Sequence, residues 1–141
     1  MTRPILPGLA THRPPAGLAA LLLAVVAAFQ AALAAGAPWG EAAYGGAHRG
    51  VLPTRHRASS AVSALAYAAL VLVTLGRGPG PTARHRILTA ASGLMILGTA
   101  MNLASRSRVE RLVWTPVAGT LAVTLLRVTR ASRMVPSRTG S

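Results

Sequence analysis

The sequence predicts an all-α protein, a four-helix transmembrane bundle with both termini on the same, cytoplasmic side. Three observations carry that expectation. The chain has 141 residues, of which 52% are hydrophobic and only 12% charged. Its apolar residues gather into four charge-free runs, near residues 14–40, 58–76, 87–105 and 112–126. Clusters of arginine separate those runs. A hydrocarbon core about 30 Å thick needs roughly 20 apolar helical residues to cross it. A soluble domain of this length would instead interleave charged and apolar residues along amphipathic elements.

The transmembrane domain is expected over residues 16–133, with spans near 16–36, 58–76, 84–104 and 108–128. Residues 1–15 read as a flexible tail, broken by Pro4, Pro7, Pro14 and Pro15. Residues 134–141 read as a disordered tail. Arg3 and Arg13 ahead of an apolar run, with Ala32-Leu33-Ala34 beyond it, resemble a secretion signal. The run is longer than a signal's apolar segment, so a retained helix is expected. In that first span Ala20, Ala24, Ala28, Ala32 and Gly36 recur every fourth position, which predicts a close helix–helix contact.

Residues 37–57 form the longest loop. Pro38, Gly40, Gly45, Gly46, Gly50 and Pro53 interrupt any helix there. Trp39 and Tyr44 in this loop, and Trp114 after the third span, suit a membrane interface, where an amphipathic ring has one wet and one apolar end. Ser59 or Ser60 is expected to cap the second span, which carries a second small-residue row of Ser60, Ala64 and Ala68. The segment from Gly76 to Pro81 is a clear break. The third span starts with Arg84, His85 and Arg86. Its Thr89, Ser92, Thr99 and Asn102 are polar for a lipid-facing helix and are expected to hydrogen-bond to neighbouring helices. For Asn102 the alternative is a pocket shared with Gln30. Ser107-Arg108-Val109-Glu110 matches a capping box for the fourth span. Pro116 predicts a kink inside that span, and Arg127, Arg130 and Arg133 are placed to snorkel to headgroups. The two halves share no alignable motif, which argues against an inverted-repeat transporter.

The net charge is +13, and every basic residue is arginine. No long basic helix or stripe exists, so nucleic acid is not an expected partner. The expected partners are the lipid bilayer, anionic lipid headgroups at the arginine clusters, and another membrane protein or a second copy of the chain. Arginines fall unevenly between the two sides. The termini side would carry Arg3, Arg13, Arg77, Arg84, Arg86, Arg127, Arg130, Arg133 and Arg138. The other side would carry Arg49, Arg55, Arg57, Arg106, Arg108 and Arg111. That bias predicts cytoplasmic termini in a multi-pass protein of the inner (plasma) membrane.

The absence of cysteine excludes disulfides, thiolate nucleophiles and cysteine-ligated metals. No nucleophile motif, phosphate loop or H-E-x-x-H is present. No cofactor and no metal is expected: Glu41, His48 and His56 supply ligand types, but their spacing fits no zinc pattern. The chemistry that remains lies in an outer-face polar cluster of Glu41, His48, Arg49, Asn102, Arg106 and Glu110, with Trp39, Tyr44 and Trp114 as interface aromatics. Glu41 and Glu110 are the only acids. Glu41 is expected to meet Arg106, Arg108 or Arg111, and Glu110 to pair with Arg106 or Arg111 while capping the fourth span. No acid lies mid-membrane, which counts against a proton-coupled exporter.

Several motifs are familiar together: Pro38-Trp39-Gly40-Glu41-Ala42-Ala43-Tyr44-Gly45-Gly46, Gly50-Val51-Leu52-Pro53, and Asn102-Leu103-Ala104-Ser105-Arg106-Ser107 with Glu110 and Pro116. The chain resembles a group of small four-helix membrane proteins of GC-rich bacteria over residues 16–128. That resemblance implies four spans and a membrane location and brings no catalytic residues. The expected function is that of a small accessory, scaffold or lipid-interacting protein. An oligomeric small-molecule transporter or channel is the alternative, and a lipid-modifying enzyme the third reading.

Overall fold

The computed structural model describes residues 14–133, which are helical apart from their connections and contain no strand. The tails expected at 1–15 and 134–141 lie outside the described residues, except for Pro14 and Pro15. Four long helices dominate: α1 (Pro14–Ala35), α2 (Thr54–Thr74), α3 (Pro81–Ala104) and α4 (Thr115–Arg133), the last entered through a π-helical turn at Glu110–Trp114. All four are long and apolar enough to cross a membrane.

Three helix starts lie ahead of the expected ones, at Pro14, Thr54 and Pro81 in place of 16, 58 and 84. α2 begins at Thr54, not 58, and takes in Arg55, His56 and Arg57; Ser60 is therefore a mid-helix residue and not a cap. The first helical bonds run from the His56 and Arg57 amides to the Pro53 carbonyl, at 2.9 and 3.1 Å. Proline is suited to a helix's first turn, because its missing N–H would lack a helical acceptor there anyway. The same logic opens α1 at Pro14 and α3 at Pro81. Hydropathy marks where a helix turns apolar, not where its backbone starts to coil.

The helix ends follow the opposite chemistry. α1 closes with Gly36 N–H on Leu33 O (3.1 Å) and Ala37 N–H on Ala32 O (2.9 Å). α2 repeats that Schellman pattern with Gly76 on Val73 O (3.0 Å) and Arg77 on Leu72 O (2.9 Å). Each end also receives an arginine from elsewhere in the fold. Arg57 donates Nε to Ala34 O at 3.0 Å. Arg84 donates Nε to Val73 O (2.9 Å), Nη2 to Thr74 O (2.8 Å) and Nη1 to Ser132 Oγ (3.2 Å). A guanidinium at a helix C-terminus satisfies carbonyls and opposes the negative end of the helix dipole. These two arginines are thus internal caps as well as members of the charge clusters.

α1 packs on α2 and α3 on α4, and α1 against α4 joins the two hairpins; α2 and α3 touch only lightly. The main core lies toward the termini end. Ala19, Leu23, Val73, Leu88, Ala91, Leu121, Leu125 and Val128 form it, with Leu23, Leu88, Leu121 and Leu125 fully enclosed. A smaller cluster of Leu33, Ala43 and Leu52 lies under the first loop.

The outward surface is apolar on every helix. Leu65 is 74% exposed, Leu112 75% and Val62 69%. Water-soluble monomers rarely expose such contiguous patches, whereas lipid would cover them at no cost.

Two expectations about packing are corrected. The alanine row of α1 is not a continuous helix contact, because Ala24 and Ala28 face outward while Ala19, Leu23 and Leu33 pack inward. A helix this rich in alanine gives a small-residue row on any face, so the larger residues decide which face is buried. Among the described residues, Thr89, Ser92, Thr99 and Asn102 of α3 make no hydrogen bond to another helix. Ser92 Oγ donates to Leu88 O (2.8 Å) and Thr99 Oγ1 to Met95 O (2.7 Å), and Thr89 is exposed. Each hydroxyl uses the carbonyl one turn back, the acceptor always within reach.

Candidate functional site

Glycine and proline free residues 36–53 from helical geometry, and the chain folds there into two short turns, Gly40–Ala42 and Tyr44–Gly46. The Gly40 amide donates to Gly50 O at 2.8 Å and closes the loop on itself. Five polar contacts then fix the turns to the helices. Ser107 Oγ donates to Glu41 O (2.7 Å), Trp114 Nε1 to Ala42 O (3.0 Å), and the Gly45 amide to Glu110 Oε1 (2.9 Å). Tyr44 reaches α2, donating to His56 O at 3.1 Å with Ser60 Oγ also at 3.1 Å. Gly46 sits at φ +70°, and a Cβ there would stand 3.0 Å from Ser107 Cβ. A side chain at this point would pry the loop off the start of the fourth helix.

The capping box is half formed. Ser107 Oγ accepts from the Glu110 amide at 3.3 Å, as a cap should. The Glu110 side chain does not reach back; the Ser107 amide donates to Ser105 Oγ at 3.0 Å instead. Glu110, 7% exposed, serves the loop through Gly45. Nor does either acid pair as expected. Glu41 faces Arg49 of its own loop, Nε to Oε1 at 3.5 Å, with both side chains well exposed. That is the one ion pair among the described residues, so Glu41 meets the second loop through its backbone carbonyl, and Glu110 has no arginine partner.

Pro116 brings a widened turn in place of a simple kink. The Thr115 amide bonds to Glu110 O, five residues back, and Thr115 Oγ1 joins it at 3.1 Å. Such π-turns concentrate at functional sites, and this one carries Glu110 and Trp114.

Beneath the loop lies a cavity of about 290 Å³. Ala42, Ala43 and Tyr44 roof it. Val26, Phe29 and Gln30 of α1, Ser59, Ser63 and Tyr67 of α2, and Met95, Gly98 and Asn102 of α3 form three walls. Glu110, Trp114 and residues Val117, Ala118 and Leu121 of α4 form the fourth. Its floor rests on the main core, since Val26, Tyr67, Met95 and Val117 also pack against that cluster.

Of the residues singled out from sequence, Asn102, Glu110, Tyr44 and Trp114 line this cavity together with Gln30. Asn102 makes no hydrogen bond to another helix among the described residues; it shares the cavity with Gln30, whose buried Oε1 also lacks a partner among them. Glu41, His48, Arg49 and Arg106 lie outside the cavity's lining. His48 lies tilted against His56, ring centres 4.9 Å apart. Trp39 lies parallel to Phe29 at 6.2 Å, Trp114 tilts onto the same ring at 4.4 Å, and Tyr44 turns toward His56.

Sequence reasoning took Ser59 only as a candidate cap and passed over Ser63 and Tyr67. Their i, i+4, i+8 spacing puts three polar groups on one stripe of an apolar helix, a signal that was available. The parallel spacing of Met95, Gly98 and Asn102 on α3 was available too.

Searches against protein-family models, curated proteins and solved structures give no match to this chain.

Proposed function

We propose that the protein is a multi-pass membrane protein whose cavity holds one small amphiphile, so that it acts as a lipid-interacting or accessory protein. The observation that carries this reading is the half-filled bundle. One half is sealed by Leu23, Leu88, Leu121 and Leu125, all fully buried; the other holds a cavity that mixes apolar side chains with polar groups, among them Gln30 Oε1, which lacks a partner among the described residues. Binding sites for small molecules have this mixture. A continuous path for solute would have to cross the sealed half, which speaks against a channel. A lipid-modifying enzyme working through Glu41 and a histidine would need His48 beside the cavity, and neither side chain lines it.

The exposed leucines and valines of the helices support a bilayer setting, and the arginine bias supports a plasma-membrane orientation with the cavity toward the extracytoplasmic face. Purification in mild detergent followed by native mass spectrometry tests the reading. A small-molecule or lipid adduct is expected on the wild-type chain and should be lost in Ala118→Phe, which fills the cavity from α4. Equal adducts on both proteins, or none on either, would refute it. So would recovery of the chain in the detergent-free supernatant.

A further inference from the structure

We infer that the occupant of this cavity carries a protonated amine on an apolar tail, with the Glu110 carboxylate and the surrounding rings as its receptor. The inference rests on the proposed amphiphile site and adds the charge of the ligand.

The distribution of rare residues points there. The chain has one Phe, two Trp and two Tyr, and four of these five, Phe29, Tyr44, Tyr67 and Trp114, line the cavity. It has two acids, and one of them, Glu110, lines the cavity while being 7% exposed. Aromatic faces attract cations through the ring quadrupole, the more so when water is excluded.

Glu110 is short of partners. Oε1 accepts from the Gly45 amide, and Oε2 has no hydrogen-bond partner among the described residues. No cation pairs with it there: Arg111, next in sequence, gives Nη1 to Ser105 O at 2.7 Å. A buried carboxylate without a counter-charge is costly, and a bound cation relieves that cost. Across the same space Gln30 Oε1 is a buried acceptor with no donor among the described residues. An ammonium group is three donors and no acceptor, which matches a carboxylate and an amide oxygen.

The net charge of +13 does not contradict this. No lining residue is basic, and exposed arginines are screened within about 10 Å at moderate salt.

The amine can be a lipid headgroup or a freely diffusing amphiphile. The test uses the full chain with Trp39→Phe, so that Trp114 is the sole tryptophan reporter, in phosphatidylglycerol nanodiscs. n-Octylammonium and n-octanol are titrated against its fluorescence. Octylammonium is expected to bind at least about tenfold more tightly, because its head is charge-paired. Glu110→Gln keeps an oxygen for the Gly45 amide, so its melting temperature should hold while the preference for ammonium falls about tenfold. Should Glu110→Gln not fold, Gln30→Leu gives the same readout, with ammonium weakened more than octanol. Equal binding of the two probes overturns the inference but leaves the amphiphile site standing. An unchanged preference in the folded variants overturns it too. Binding of neither probe sinks both. Repeating the titration in phosphatidylethanolamine nanodiscs separates the sources. Each affinity is referenced to Glu110→Gln in the same discs, which removes the pull of the anionic surface on the free cation. A wild-type advantage that shrinks in phosphatidylethanolamine identifies the headgroup amine as occupant, an unchanged advantage identifies a free amine, and both support the inference.

Discussion

Replacing Ser107 with alanine tests how the loop is held. The Ser107 hydroxyl has two jobs: it donates to Glu41 O at 2.7 Å and accepts from the Glu110 amide at 3.3 Å. Loss of a helix cap costs about 1 kcal/mol. Leaving a part-buried carbonyl without its donor costs about 1 kcal/mol more, the lower end of the usual range, because Glu41 itself is exposed. The sum is about 2 kcal/mol. At this chain length about 3 °C is lost per kcal/mol, so melting in mild detergent should fall by about 6 °C. Hydrogen exchange at residues 42–46 should quicken in parallel, since those amides sit on the turns the hydroxyl holds. The control is Arg49→Ala. It breaks the one ion pair of the loop, yet both partners are mostly exposed, and such pairs contribute about 0.5 kcal/mol or less. A Ser107→Ala protein that melts within a degree of wild type, or an Arg49→Ala protein that melts lower than it, would refute the reasoning.

Three further outcomes are expected. Gly46→Ala should destabilise by about 2 kcal/mol, from a left-handed backbone at φ +70° and a Cβ placed 3.0 Å from Ser107 Cβ, as read by thermal melting. Arg84→Met should cost about 2 kcal/mol by removing the charged donors of Val73 O and Thr74 O, and Arg84→Lys should recover only part of that, because an ammonium cannot span the positions a guanidinium fork reaches. The chain has no cysteine, so Ala47→Cys and Thr82→Cys can be labelled singly in intact cells. An impermeant maleimide should modify the first and spare the second if the cavity end faces outward.

The four helices were legible because long charge-free runs separated by arginine leave little else for a chain to do. Their starts were less so: Thr54 to Arg57 are polar, and only Pro53 marks the coil's beginning. The site was half legible. Gln30 and Asn102 stood out as polar residues in apolar surroundings, and Glu110 as one of two acids. Who meets whom was not visible. Glu41 found Arg49 nearby, because an exposed flexible pair needs no tertiary arrangement. Glu110 left its capping role because the folded loop offered it the Gly45 amide, a partner that lies 65 residues away in sequence. Spacing rules see neighbours along a helix; they do not see a loop returning from elsewhere.

The π-helical turn has a consequence for how this chain tolerates insertions and deletions. An i to i+5 turn stores one residue more than the α-helix around it. Deleting a single position there, such as Leu112, lets the coil relax to ordinary pitch. The tighter turn covers nearly the rotation that the wide one covers with a residue more, so the positions upstream keep their direction about the axis. Ser107 and Glu110 would stay close to their acceptor and donor. A one-codon loss at this outward-facing leucine would therefore be borne better than one in the ordinary coil of α4, where one side would swing by about 100° against the other; the spare residue is slack that the fourth rod can give up.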